Sequence, residues 1–394
     1  MTTQVQLVRE RLGAPFGFKG RQVEELWQVV VRLAGDDHGF AGQGIGVQSP
    51  IWSDAAVADR HGIDGANEVM LAITRAAVEL ADAEPVAAPD AVLAAILPKL
   101  AERARELAGT PALRETFVLN ALVPLDVALW QRWARRLGTT DPADVVPDET
   151  KAVLATEPHP VELMPAIAYG TDDAEIDRLA DSSAVFKIKL GADPHGDGNP
   201  LARLAWDIGR MADLHEVVGD RPVQYYLDLN GQYDSLSEVR QLLEGIAAAG
   251  AGERVVLLEE PLDETNLADV SGLGVLVAAD ESAHGPDHLR QLADRGYGAV
   301  AFKPSGKTPS VTCAMIAEAH RLGLHGFVAD LTATPLLVEW NTWFAARLPA
   351  LPGLDVAVME SNGAQNYARW DELVDRLGEP TDLFTRTDHY LTDY

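Results

Sequence analysis

Between residues 160 and 360 the chain repeats one pattern, in which a short apolar run is followed by an amphipathic stretch. Short apolar runs predict buried strands, and apolar residues at three- and four-residue spacing predict helices. The predicted strands are 163–169, 185–190, 223–228, 255–259, 275–280, 299–303, 326–330 and 356–360. Eight strand–helix units in succession are typical of a (β/α)₈ barrel. A doubly wound sheet is disfavoured, because no G-x-G-x-x-G motif follows an early strand.

The first 140 residues show a different pattern of apolar runs, which predicts an α+β module. Three predicted strands come first and three predicted helices follow, at 4–12, 23–33 and 39–49 and then at 64–83, 90–108 and 111–137. We interpret the glycines between Gly42 and Gly46 as turn chemistry, since no P-loop arrangement follows them. The predicted domains are therefore 1–140, α+β, and 141–377, the barrel. Residues 378–394 are expected to form a tail that packs back on the first domain.

The composition limits the classes of partner. The formal net charge is −28, with 60 acidic against 32 basic residues. Such acidity argues against nucleic acid or an anionic membrane as the main partner, but it leaves room for a small anionic substrate at a local lysine cluster. The single cysteine, Cys313, excludes an internal disulfide framework. With no signal-peptide pattern and no apolar run of membrane-spanning length, a cytoplasmic location is expected.

Charged residues stand where five consecutive predicted strands end. These strand ends are Lys187-x-Lys189, Asp228-Leu229-Asn230, Glu259-Glu260-Pro261, Asp280-Glu281-Ser282 and Lys303-Pro304. Residues two apart on a strand point to the same side, so both lysines of the first pair face one way. The active site of a barrel is built from the carboxyl ends of its strands. The sequence therefore predicts that these side chains converge on one site.

The order of charges at these ends predicts a particular chemistry. Three carboxylates from neighbouring strands repel one another unless a cation lies between them. Oxygen ligands without histidine or cysteine suit a hard ion, which predicts Mg²⁺ or Mn²⁺. Such an ion would bind a substrate carboxylate and stabilise the dianion that forms when the adjacent carbon loses its proton. A lysine beside these cations is expected to be partly neutral and able to act as the base.

The same five motifs resemble the enolase superfamily, and most closely its muconate-lactonizing, mandelate racemase-like branch. This branch includes cycloisomerases, o-succinylbenzoate synthases and dipeptide epimerases. The resemblance covers most of the chain and implies a capping α+β domain plus a modified (β/α)₈ TIM barrel. It also implies that a helix over residues 119–130 joins the cap to the barrel. Members of the family are often oligomeric, so a homo-oligomer is expected.

The resemblance implies a role for each matching residue. Lys189 would be the base on one face of the substrate, and Lys303 would be the base, acid or electrostatic partner on the opposite face. Lys187 would support Lys189 and touch the substrate carboxylate. The metal ligands would be Asp228, Glu259 and Asp280. The residues expected to contact these ligands from behind are Glu260, Glu281 and Asn230.

The substrate pocket is expected between the cap loops and the barrel mouth. Its candidate residues are Phe18, Gln48 and Trp52 in the cap, and Asn230, Asp330 and Glu360 in the barrel. The chain also departs from the family. His325 stands at the start of the seventh run, where a catalytic histidine of the mandelate racemase type would stand at its end, so we interpret it as structural. The glycine pair expected after the sixth strand is absent, which weakens assignment to a characterised epimerase or cycloisomerase.

These features predict a Mg²⁺-dependent enzyme that abstracts the α-proton of a carboxylate substrate to form a metal-stabilised enolate. Racemisation, epimerisation or cycloisomerisation would follow. A dehydratase or o-succinylbenzoate synthase-like β-elimination on the same enolate is an alternative. A barrel that binds a carboxylate ligand without catalysis is another. A Schiff-base aldolase using Lys189 or Lys303 would leave the three carboxylates unexplained.

Overall fold

The N-terminal part of the chain is an antiparallel three-stranded sheet covered by helices. The computed structural model describes residues 2–18 and 21–377. The sheet has the order β1-β2-β3, and both pairings are antiparallel. Its elements are β1 (Gln4–Phe18), β2 (Arg21–Leu33), β3 (Gly42–Gln48), α1 (Pro50–Ser53), α2 (Ala55–Asp82), α3 (Pro89–Ala108) and α4 (Glu115–Leu137). The predicted α+β module of three strands followed by three long helices is confirmed.

The glycines that we interpreted as turn residues lie inside β3, so that interpretation is wrong. Gly42, Gly44 and Gly46 alternate along the strand and face α4. An added Cβ at Gly44 would overlap the carbonyl oxygen of Pro124 and lie 2.5 Å from the main-chain nitrogen of Ala128. Glycine is needed here because only a strand without side chains on this face lets the helix backbone approach so closely.

A Gly44→Ala variant tests this close approach. Because the Cβ would meet main-chain atoms that cannot rotate away, the variant should lose about 1–3 kcal/mol of unfolding free energy in urea. Gly209→Ala is the matched control, since Gly209 lies within a helix and an added Cβ there meets nothing within 4 Å. The control should be neutral or stabilised by up to about 1 kcal/mol. Equal stabilities of the two variants would contradict the packing argument.

The second part of the chain is a parallel barrel with helices outside it. Its strands are β4 (Val161–Met164), β5 (Ala166–Ile167), β6 (Val185–Lys189), β7 (Gln224–Asp228), β8 (Val255–Glu259), β9 (Val277–Ala279), β10 (Ala299–Phe302), β11 (His325–Val328) and β12 (Ala357–Glu360). Its helices are α5 (Asp148–Lys151), α6 (Asp173–Ala180), α7 (Pro200–Val218), α8 (Leu236–Ala248), α9 (Pro286–Asp294), α10 (Pro304–Lys307), α11 (Pro309–Leu322), α12 (Pro335–Ala345), α13 (Gly363–Asn366) and α14 (Trp370–Leu377).

The barrel closes through its first strand. The strand order is β4-β12-β11-β10-β9-β8-β7-β6-β5, and β4 and β5 are separated only by Pro165. Proline cannot donate a ladder hydrogen bond, which accounts for the break. Since β4 pairs with β12 and β5 pairs with β6, the two segments act as one strand and join the ends of the sheet. The predicted (β/α)₈ barrel is therefore confirmed, and β6 and β10 face each other across it as its second and sixth strands.

Helix α4 joins the cap to the barrel, as the sequence predicts for residues 119–130. Trp130 donates from Nε1 to the hydroxyl of Ser310 at 2.9 Å. The carboxylate of Asp126 accepts from the main-chain nitrogen of Ser310 at 2.8 Å and from its hydroxyl at 2.7 Å. Both helix residues are buried, so these bonds fix the start of α11 against the cap.

Ionisation of Asp126 should make the unfolding free energy depend on pH. Burial raises its pKa to about 7, although hydrogen bonds from Ser310 offset part of this effect. The folded carboxyl therefore holds its proton while the unfolded one ionises near pH 4, so stability falls as the pH rises from about 4 to 7. In Asp126→Asn, the loss of unfolding free energy between pH 5 and 7 should be smaller by about 2 kcal/mol. A urea series with an unchanged pH slope would contradict this.

Three expectations from the sequence are not tested by this structure. Residues 378–394, expected to pack on the cap, and the side chain of Phe18 lie outside the described part of the chain. The domain division at residue 140 stays a prediction. Among residues 2–18 and 21–377, none of the helices has the length and apolar character that a bilayer crossing requires.

Candidate active site

The predicted charged residues lie together at the carboxyl ends of neighbouring barrel strands. Lys189 pairs in register with Asp228, and Asp228 pairs with Glu259. Asp280 directly follows β9, and Lys303 directly follows β10. The structure therefore places all the residues proposed for proton transfer and metal binding at the same end of the barrel. Their individual roles stay a prediction.

Lys187 lies among three carboxylates. Its Nζ is 3.1 Å from Asp228 Oδ2, 2.8 Å from Glu259 Oε2 and 2.9 Å from Glu360 Oε2. Burial alone would lower the pKa of Lys187, but these carboxylates outweigh it and hold the pKa well above its usual value. Lys189 pairs with the same Asp228 oxygen at 2.5 Å. Lys187 and Lys189 are thus linked through one shared carboxylate.

The carboxylates of this cluster differ in how readily they ionise. Burial would raise the pKa of Asp228, but Lys187 and Lys189 lower it below its usual range. Burial and the charge of Asp228 raise the pKa of Glu259 well above its usual value. The buried hydroxyl of Tyr226 donates to Glu259 Oε2. Further positive charge near Glu259 would therefore favour its ionised form.

Asp280 is contacted from both sides. Lys303 donates to its Oδ2, and Lys307 donates to its main-chain oxygen at 2.6 Å and to Oδ1 at 3.2 Å. Glu260 accepts from the main-chain nitrogen of Asp280 at 2.8 Å and from that of Ser282 at 3.2 Å. Burial and the charge of Glu281 raise the pKa of Glu260 to about 8. Glu260 thus contacts Asp280 from behind, where the sequence had placed it.

Lys303 forms a buried ion pair that favours its ammonium form. Burial would lower the pKa of Lys303, but the ion pair with Asp280 outweighs it and raises the pKa above its usual value. The folded chain thus sets a carboxylate directly against the Lys303 ammonium group.

Asn230 and Glu281 connect the two halves of the charged cluster. Asn230, two residues after the end of β7, has a φ of 44°, and its main-chain nitrogen donates to Asp228 Oδ1 at 3.0 Å. Its Nδ2 donates to Glu281 Oε1 at 3.3 Å, and its Oδ1 accepts from Lys189 Nζ at 3.4 Å. Asn230 thus bridges Lys189 and Glu281, and the roles predicted for Asn230 and Glu281 behind the metal ligands stay a prediction.

At the barrel mouth, Glu360 and Asp330 have different surroundings. Glu360 accepts from Lys187 and, at 3.1 Å, from the main-chain nitrogen of Asp330. The carboxylate of Asp330 accepts from the main-chain nitrogens of Leu331, Ala333 and Asn362. Burial and the charge of Glu360 raise the pKa of Asp330 to about 6. Asp330 therefore orders the loops of the mouth, and Glu360 contacts the charged cluster directly.

A cavity between cap and barrel opens onto the lysines. The predicted residues that line it are Lys187, Lys189, Lys303, Gln48, Trp52, Asn230, Asp330 and Glu360. Its cap wall is largely apolar and includes Val23, Leu26, Pro50, Ile51 and Ile63. Trp52 is buried, and the Lys303 ammonium lies 4.5 Å from its ring centroid. His325, by contrast, is the first residue of β11 and stands at the opposite end of its strand.

Sequence reasoning missed three residues of this site. Tyr226 stands two residues before Asp228 and shares its strand face, a period-two signal that could have revealed it. Lys307 follows Lys303 by one helical turn, which also could have been read from the spacing. Tyr169 lines the cavity and donates to the main-chain oxygen of Leu190 at 3.0 Å. It is the last residue of the first predicted strand, 163–169, so the strand-end rule could have revealed it as well.

The chemistry of the carboxylates fits a hard divalent ion. Within residues 2–18 and 21–377, no three histidine, cysteine or acidic side chains are grouped so that they could hold a metal by themselves. Lysine ammonium groups lie against the carboxylates instead. The donors are nevertheless all carboxylate oxygens, and the buried Oε1 of Glu259 has no hydrogen-bond partner. Asp228, Glu259 and Asp280 therefore fit Mg²⁺ or Mn²⁺ if the lysines yield their present contacts.

Comparison with known structures supports the same fold. An L-Ala-D/L-Glu epimerase from Bacillus subtilis is 18% identical, with a TM-score of 0.67 over 93% of this chain and 92% of that chain. An N-succinyl Arg/Lys racemase from Bacillus cereus is 14% identical, with a TM-score of 0.65 over 93% and 88%. A dipeptide epimerase from Enterococcus faecalis, complexed with Mg and the dipeptide L-Leu-L-Tyr, is 14% identical, with a TM-score of 0.62 over 93% and 91%.

The family itself is indicated by the sequence of the barrel. No curated protein matches the chain. Residues 172–367, about half of the chain, match the family described as enolase C-terminal domain-like. This segment carries every strand-end motif of the charged cluster. The chain therefore belongs to the enolase superfamily, in its mandelate racemase and muconate lactonizing branch, and is an enzyme of that superfamily.

Proposed function

We propose that this enzyme abstracts the α-proton of a small carboxylate substrate and returns a proton to the resulting enolate, giving racemisation or epimerisation. One observation carries the proposal: Lys189 and Lys303 line one cavity from strands that face each other across the barrel. A substrate carbon between them would have a proton carrier on each face. That arrangement suits removal of a proton from one face and its delivery to the other.

The proton balance of this reaction needs the two lysines in different states. The amine form of one lysine takes the α-proton, and the electrons of the C–H bond enter the enolate. The ammonium form of the opposite lysine then gives its proton to the same carbon from the other side. The product has the composition of the substrate and the inverted configuration, and the lysines have exchanged states.

Positive charge around the substrate carboxylate favours the enolate. Lys187, Lys189 and Lys303 supply three ammonium groups to the cavity wall. When bound at Asp228, Glu259 and Asp280, Mg²⁺ or Mn²⁺ would add a divalent charge that stabilises the dianion. Apolar residues of the cap wall reduce the number of polar groups around the substrate, which would strengthen these electrostatic interactions.

Other outcomes share the first half of this reaction. Cycloisomerisation and β-elimination begin from the same enolate, with the second lysine acting as a general acid or a bystander. The racemase and epimerase structures reported above share the fold at low identity, so they do not decide between these outcomes. The substrate decides which outcome follows. The contrasting proposal is a barrel that binds a carboxylate without any proton transfer.

Hydrogen exchange in D₂O tests the shared half-reaction. The protein with added Mg²⁺ is incubated with a library of N-acyl amino acids, dipeptides and other carboxylates, and α-deuteration is read by mass spectrometry. We expect at least one member to gain deuterium, with loss of optical purity if the reaction is a racemisation or epimerisation. Tight binding of a carboxylate without exchange would favour the non-catalytic barrel and overturn the proposal.

A further inference from the structure

We propose that Lys307 is a permanent counter-ion of Asp280, and that it allows Lys303 to leave this carboxylate and turn to a ligand in the cavity. Lys307 would be a positioning residue, because it acts through Asp280 and does not line the cavity. The purpose given to Lys303 rests on the proposed function. The contacts of Lys307 and the labelling test described below do not depend on it.

The two lysines reach Asp280 from one helical turn. Lys303 precedes α10 and Lys307 ends it, and the main-chain nitrogen of Lys307 donates to the carbonyl of Lys303 at 2.7 Å. Residues four apart lie on the same side of a helical turn. Lys303 takes Oδ2 of Asp280, and Lys307 takes Oδ1 and the main-chain oxygen. The two ammonium groups therefore do not compete for the same oxygen atom.

Lys303 and Lys307 differ in how far their side chains are exposed to solvent, which suggests different roles. The side chain of Lys303 is 5% exposed and lines the cavity, whereas that of Lys307 is 0% exposed. Lys307 also makes its shorter contact to a main-chain oxygen, which stays in place whatever binds the carboxylate. Lys303 is thus the partner that can exchange, and Lys307 is the one that stays.

Asp228, two strands away from Asp280 in the barrel, also pairs with two lysines of unequal exposure. Of these two, Lys187 is 1% exposed and Lys189 is 15% exposed. Each of these two carboxylates therefore has one deeply buried lysine and one more accessible lysine. Lys307 is thus the more buried of the two lysines at Asp280, as Lys187 is at Asp228.

Electrostatics explains why two cations would be needed. Removing the only partner of a buried carboxylate leaves an uncompensated charge, which is strongly unfavourable. Asp280 is almost fully buried, so in the protein without a bound metal ion Lys303 could not move away from it unless another cation remained. Lys307 supplies that partner, and Glu260 holds the Asp280 main-chain nitrogen from the other side. The Trp52 ring covers both ammonium groups, with centroid distances of 4.5 Å to Lys303 and 5.8 Å to Lys307.

Chemical labelling of lysines tests the proposal without any substrate. The wild type, Lys307→Met and Lys307→Gln are treated with formaldehyde and cyanoborohydride, and methylation of Lys303 relative to Lys189 is read by peptide mass spectrometry. Without Lys307, Asp280 should hold Lys303 more tightly, so this ratio should fall by about fivefold in both variants. Lys99→Met, at an exposed pair with Glu84, is the control and should leave the ratio unchanged.

An unchanged ratio in either variant that folds, as judged by circular dichroism, would overturn the proposal. The glutamine variant retains a donor for the Asp280 main-chain oxygen, so it remains informative if the methionine variant does not fold. With a substrate found by hydrogen exchange, the Lys307 variants should slow proton transfer through Lys303 about tenfold more than proton transfer through Lys189. If they slowed proton transfer equally on both faces of the substrate, the role of Lys307 would be overturned while the proposed function stayed intact. Absence of exchange in the wild type would overturn the proposed function but not the labelling result.

Discussion

Lys189→Met and Lys303→Met should each reduce α-proton exchange by about 10²–10⁴-fold, and each should do so for one face of the substrate. Methionine nearly preserves the length and apolar stem of lysine but cannot carry a proton. With a racemisable substrate, one variant should still exchange the α-proton of one enantiomer, and the other variant that of its mirror image. Conversion of either enantiomer into the other should be lost in both, because inversion needs both lysines.

The measurement is deuterium incorporation from D₂O, followed separately for each enantiomer. Asn230→Ala is a useful comparison, since Asn230 contacts Lys189 without carrying a proton in the proposed mechanism. It should slow both directions of inversion to a smaller extent than either methionine variant. If both methionine variants exchanged both enantiomers at the wild-type rate, the assignment of the two lysines would be wrong.

Lys187→Met should destabilise the fold by about 3–5 kcal/mol at neutral pH, because it leaves buried carboxylates without their shared cation. The Lys187 ammonium lies within 3.1 Å of Asp228, Glu259 and Glu360, all of which are buried. Lys99→Met, which removes an exposed ion pair, is the control and should change the unfolding free energy by less than about 1 kcal/mol. Urea unfolding of the two variants gives the comparison.

The sign of the pH dependence follows from the same contacts. Without Lys187 the folded carboxylates should have pKa values above those of the unfolded chain. Their contribution to stability is then largest at low pH and is lost as the pH rises through the folded pKa values. The deficit of Lys187→Met should therefore shrink when the pH is lowered towards 5. Added Mg²⁺ should recover part of it at neutral pH if the carboxylates bind the ion. A deficit that is independent of both pH and Mg²⁺ would point to lost packing instead.

The sequence by itself determined the architecture and the core of the candidate site. Alternating apolar runs and amphipathic stretches predicted the barrel, because strand and helix periodicities are local properties of the chain. The ends of five runs identified Lys187, Lys189, Asp228, Glu259, Asp280 and Lys303, since the barrel rule places strand ends together. The family resemblance, and not this rule, suggested Glu260 and Glu281 as their neighbours.

Only the tertiary structure decided how these side chains pair. Closure of the barrel through β4 and β5 sets Glu360 against Lys187, a contact between residues far apart in sequence. The glycines of β3 alternate as strand residues do, but the reason for glycine at these positions, the close approach of α4, appeared only in the folded chain. Likewise, a lysine four residues after Lys303 becomes a partner of Asp280 only because α10 turns it inward beneath the cap. The spacing of residues along the chain fixes which strand end each charge occupies, whereas ion pairing depends on distances that exist only once the barrel is closed.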